Sequence, residues 1–149
     1  MRAAVALALA CTAAPLAAEA PPAPAPAPAL TPDRTTASVE WTRLKAKPGE
    51  RANLANFIIA NWFAMDRKAT EQGLITSYRL VSSIDPGGSW DLLVEVGYPT
   101  LVGYDHPETR EAFEAIRAAH TTIPIKGKTL YDLGTVLGTE RVVVLNGTR

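Results

Sequence analysis

The chain holds one cysteine, Cys11, and two histidines, His106 and His120, in 149 residues. No paired Cys/His spacing exists from which a structural or catalytic metal site could be built. No glycine-rich phosphate loop appears either. Fifteen Lys and Arg balance fifteen Asp and Glu, and no basic run breaks that balance. Nucleic acid is therefore not an expected partner, because neutralising phosphates takes clustered cations. These absences point to a protein without metal or organic cofactor.

The N-terminus is where composition departs most from the average. Arg2 supplies a short positive region, Ala3 to Ala18 is apolar apart from Thr12, and Ala18 and Ala20 form a small-x-small cleavage pattern. Residues 1–20 are read as a signal peptide. The apolar run is shorter than the ~20 residues a bilayer span requires, which argues against a transmembrane anchor. Cleavage after Ala18 is the alternative, because Pro21 follows Ala20 directly. Lipid anchoring through Cys11 is the weaker reading: Leu9 stands one position away from where such a site wants its large residue. If either alanine is the cleavage point, the mature chain has no cysteine, hence no disulfide and no thiol nucleophile. An exported protein, periplasmic or secreted, is the expectation.

Residues 21–33 alternate proline with alanine, a composition that favours an extended polyproline II spacer over any packed core. Residues 34–149 then have the length of one domain.

Within that domain, Ser38 to Lys47 reads as a strand ended by Pro48-Gly49. Leu54, Phe57, Ile58, Trp62, Met65 and Ala69 fall at three- and four-residue spacings, giving an amphipathic helix from Glu50 to Gln72 with Gly73 as its left-handed stop. Leu74 to Ile84 and Trp90 to Tyr98 read as a hairpin around Asp85-Pro86-Gly87-Gly88-Ser89. Pairing Ile84 with Trp90 sets Tyr78 opposite Val96, Arg79 opposite Glu95, Leu80 opposite Val94 and Val81 opposite Leu93. One face then carries Tyr78, Leu80, Leu92, Val94 and Val96, and the other Arg79, Val81, Asp91, Leu93 and Glu95. A second helix begins at Pro107 and carries Phe113, Ile116 and, late in the helix, His120. Lys126 to Gly138 reads as irregular with one turn near Leu130, and Glu140 to Asn146 as the last strand.

The order β-α-β-β-α-β is the ferredoxin-like arrangement of the α+β class. With its Lys47-Pro48-Gly49-Glu50 turn, long first helix and Trp90-to-Val96 hairpin strand, the chain resembles the dimeric α+β barrel superfamily. That resemblance implies helices on one sheet face, a second copy against the other, and an enclosed cavity. Three functions are then open. One is small-ligand binding, with an apolar or amphipathic ligand in a homodimer, which the absent metal, nucleotide and nucleophile motifs favour. Another, carried out by members of that superfamily, is cofactor-independent monooxygenase or lyase chemistry. The third is an envelope structural module with no ligand.

The candidate cavity residues are Arg79, Asp91, Glu95 and His120. A carboxylate beside a guanidinium in a partly desolvated cavity can bind a polar ligand or take up a proton. The plainer role for Arg79 and Glu95 is a cross-strand ion pair worth up to ~1 kcal/mol. For His120 the plainer role is a partly buried helix residue. Asn146-Gly147-Thr148 matches a glycosylation acceptor by chance.

Overall fold

The computed structural model describes residues 35–85 and 87–145. The stretches read as a signal peptide and a tether, with Cys11, and Asn146-Gly147-Thr148 lie outside them. Four strands form one antiparallel sheet in the order β2-β3-β1-β4: β1 Ser38–Ala46, β2 Ser77–Ser82, β3 Leu92–Tyr98 and β4 Gly134–Val143. The helices are α1 Arg51–Glu71, α2 Pro107–Ala118 and the single turn α3 Leu130–Leu133, with a 3₁₀ turn at Gly103–Asp105. Strands β1 and β2 run parallel with β3 inserted between them, which is the split β-α-β unit expected from the sequence.

Each boundary has a local cause. Gly73 takes φ +77° after α1, donates to the Thr70 carbonyl (3.0 Å), and lets Leu74 N–H reach Ala69 O (2.9 Å). This double closure satisfies the last carbonyls of the helix and turns the chain back toward the sheet. Pro107 stands at the first position of α2, where its missing N–H costs nothing. Thr129 and Asp132 form a reciprocal capping box that holds α3.

The β2–β3 register is the expected one, from Tyr78↔Val96 to Val81↔Leu93. The ladder ends sooner than expected, at Ser82↔Leu92. Beyond it Ser83 N–H donates to Asp91 O (2.9 Å) and Ile84 swings out, 94% exposed.

The last strand departs further from expectation. β4 begins at Gly134, inside the stretch read as irregular, and ends at Val143. Arg43 pairs with Gly138 and Leu44 with Val136, so Leu137 is an extra residue in a bulge. That insertion shifts the two-residue alternation between its halves and hides the strand from a periodicity reading.

The core lies between the sheet and the helices. One cluster joins Leu54, Phe57 and Ile58 of α1 to Leu44, Leu92, Val94 and Leu133. A second joins Ala69, Ile75, Tyr98, Phe113 and Ile116. Gly134 permits the close approach of α1 to the edge of the sheet. A Cβ there would stand 2.6 Å from the Lys45 carbonyl oxygen and 2.7 Å from Leu54 Cδ2.

Candidate functional site

Pairing fixes which side chains share a face. Thr42 pairs with Val94 and Glu40 with Val96, so Glu40 and Thr42 point with the apolar hairpin residues toward the helices. Trp41 pairs with Glu95 and Arg43 with Leu93, so these belong to the open face.

Between the sheet and the helices lies a cavity of about 560 Å³. That volume suits a small organic molecule. The sheet contributes Glu40, Thr42, Val94, Val96, Tyr98 and Thr139 to its walls. Trp62, Met65 and Asp66 come from α1, and Phe113 and Arg117 from α2. Tyr104 of the 3₁₀ turn and Leu130 and Tyr131 of α3 complete the lining. Tyr131, 75% exposed, stands with Thr139 at the mouth.

The two carboxylates in this lining differ in kind. Glu40 is fully engaged: its Oε1 accepts from Arg141 Nε (2.9 Å) and Nη2 (2.7 Å), and its Oε2 from the Tyr98 hydroxyl (3.3 Å). Arg141 in turn binds Asp105 (2.8 Å), which ties β1, β4 and the 3₁₀ turn into one network. Asp66 is only 5% exposed, and its carboxylate has no hydrogen-bond or ion-pair partner among the described residues. Burial pushes its pKa from the ordinary 3.8 up to about 7. Burial, with Glu40 and Asp66 close by, likewise drives the Tyr98 phenol upward, so it stays a neutral donor. Arg117 is exposed, its guanidinium carbon 6.0 Å from the Tyr104 ring centroid.

The residues singled out from sequence lie elsewhere and form no single cluster. Arg79 and Glu95 do meet, Nε to Oε1 at 2.7 Å, on the open face. Trp41 Nε1 adds a third donor to Glu95, at 2.9 Å.

Asp91 lies just before β3, where Oδ2 accepts from Ala46 N–H (2.9 Å) and Oδ1 from Lys45 Nζ (3.3 Å). Desolvation alone would raise its pKa, but the Ala46 and Lys45 bonds and the Arg51 charge outweigh it and hold the carboxyl below its usual range. These contacts clamp the hairpin loop to the end of β1.

His120 lies beyond the end of α2 rather than late in it, because α2 stops at Ala118. Its Nε2 is 3.1 Å from Asn61 Oδ1. Asn61 also accepts from Ile123 N–H (2.7 Å) and donates to Ile123 O (2.9 Å), pinning the segment after α2 onto α1. Among the described residues, no three Cys, His, Asp or Glu side chains are grouped to hold a metal ion.

Asp66 is the residue that sequence reasoning passed over. Its signal was present: it follows Trp62 by four residues and precedes Ala69 by three, which places a carboxylate on the apolar stripe of α1.

No protein-family model matches the sequence, and no curated protein matches it. Among solved structures, the chain is similar to a dimeric ferredoxin-like protein from an uncultured marine organism. The two share 12% identity at a TM-score of 0.54, over 78% of this chain and 94% of that one. A candidate antibiotic biosynthesis monooxygenase from Chloroflexus aurantiacus is 15% identical at a TM-score of 0.47, over 75% of this chain and 96% of that one. A dimeric ferredoxin-like protein of unknown function from Bacteroides fragilis is 14% identical at 0.39, over 70% and 91%. The first of these likenesses establishes the α+β ferredoxin-like fold.

Proposed function

We propose that the chain is an exported protein whose domain pairs with a second copy through the open sheet face and holds a small amphipathic ligand between sheet and helices. The observation that carries the ligand reading is Asp66: a buried carboxylate without a partner, facing a cavity of ligand size. Its oxygens open onto the cavity and are not sealed in the protein interior, where Thr100 Oγ1 is the described side-chain atom without a partner, so a ligand in the cavity can supply their donor. Export rests on Arg2, the apolar run and the Ala18/Ala20 pair. Pairing rests on the open face, where Val39, Trp41, Val81 and Leu93 are half-buried around the Glu95 cluster with no element of the described residues above them. The marine ferredoxin-like protein, which is dimeric, supports pairing with a second copy.

A second reading is favoured by one property of Asp66. A carboxyl poised near neutrality can take a proton from a bound substrate at physiological pH. Cofactor-independent oxygenase or lyase chemistry in the cavity would begin with that step.

Native mass spectrometry of protein recovered from its own host tests the binding reading. The expected spectrum shows twice the processed chain mass plus a small non-covalent adduct, shed on collisional activation. A bare single chain at micromolar concentration would contradict both pairing and binding.

A further inference from the structure

We propose that the cavity selects an organic ammonium ion, a small amine on an apolar body, with its cationic head at Asp66 and its body among the rings of Trp62, Tyr98 and Phe113. This rests on the ligand-binding reading above and adds the sign of the ligand's charge.

The charge inventory of the lining leads there. Glu40 is already matched by Arg141 and by the Tyr98 hydroxyl. Asp66 is matched by nothing: no salt bridge or hydrogen bond joins its carboxylate to any described residue. The cationic side chain of the lining, Arg117, is exposed and set over Tyr104, and forms no ion pair with Asp66. The hydroxyl-bearing side chains of the described lining are uncharged: Thr42 and Tyr98 from the sheet, Tyr104 from the 3₁₀ turn, Tyr131 from α3 and Thr139 from β4. A neutral donor would satisfy one lone pair and leave the buried charge uncompensated. An ammonium supplies both the donors and the charge. The walls suit the same ligand, because the faces of aromatic rings attract organic cations.

The proton balance follows from burial. In the empty cavity Asp66 titrates at about 7, so below that pH an arriving ammonium must displace a proton into solvent. Affinity therefore rises with pH up to about 7 and levels off above it.

Calorimetric titration of the full chain with benzylamine, benzyl alcohol and benzoate separates the possibilities, since the three share a ring and differ in charge. At pH 8 benzylamine is expected to bind at least about tenfold more tightly than benzyl alcohol, and benzoate not to saturate. Its affinity should fall about tenfold from pH 8 to pH 6, where Asp66 is mostly protonated. Asp66→Asn should remove most of the benzylamine preference and leave benzyl alcohol within about twofold. If that variant does not fold, the probe ranking and the pH profile of the parent protein decide. Benzyl alcohol or benzoate binding as tightly as benzylamine would overturn ammonium selection while leaving the cavity a ligand site. Failure of all three to bind would overturn both.

Discussion

Asp66→Asn is expected to change the stability of the ligand-free protein by an amount that depends on pH. In the folded chain the Asp66 carboxyl titrates at about 7, against an ordinary 3.8. The folded pKa is the raised one. Between these values the unfolded chain loses the proton and the folded chain keeps it, so stability falls as pH rises. Each pH unit in that window removes about 1.4 kcal/mol. Asparagine does not titrate, so this loss disappears in the variant. Urea unfolding of both proteins at pH 5 and pH 8 should show the variant gaining on the order of 3 kcal/mol relative to the parent between the two pH values. Parallel profiles for the two proteins would mean that the carboxylate is solvated and that the cavity is not dry.

Leu54→Ala should cause the largest loss of stability from a single core truncation in α1. Leu54 is fully buried and packs in one cluster with Leu44, Phe57, Ile58, Leu92, Val94 and Leu133, linking α1 to β1, β3 and α3. Gly134 has no side chain with which to fill the space, and the backbone there already approaches Leu54 closely. The truncation should cost about 3 kcal/mol, within the range for fully buried leucines. It should leave the denaturant slope unchanged. Ile84→Ala is the control: Ile84 is 94% exposed, so its loss should fall within about 0.5 kcal/mol of zero. Equal effects at the two positions would contradict the assignment of the core to the space between sheet and helices.

The sequence carried the fold further than it carried the site. The hairpin was legible because Tyr78, Arg79 and Leu80 and then Val94, Glu95 and Val96 alternate apolar with charged on either side of a strong turn. A slip of one residue would mix Leu80 and Val94 with Arg79 and Glu95, and the five-residue loop sets the pairing. β4 was not legible over its first half, because the Leu137 bulge shifts the alternation and Gly134 and Gly138 carry no side-chain signal.

The site was obscured for a different reason. Strand pairing correctly brought Arg79 to Glu95, and attention to charged pairs led to the open face. The cavity comes instead from the spacing of α1 and α2 above β1 and β3, which no periodicity along the chain encodes. Asp66 was concealed by its surroundings, since Trp62, Met65 and Ala69 make that side of α1 read as an ordinary core stripe. Asn61 was concealed likewise, although its role is to hold the segment after α2.

The most direct test of the account is the titration of the Asp66 side-chain carboxyl carbon by ¹³C NMR in the ligand-free protein. A buried carboxylate awaiting a donor from a ligand should show its midpoint near pH 7. A midpoint near 4 would show that water or a protein group already satisfies the carboxylate, and would contradict the assignment of the ligand site to Asp66.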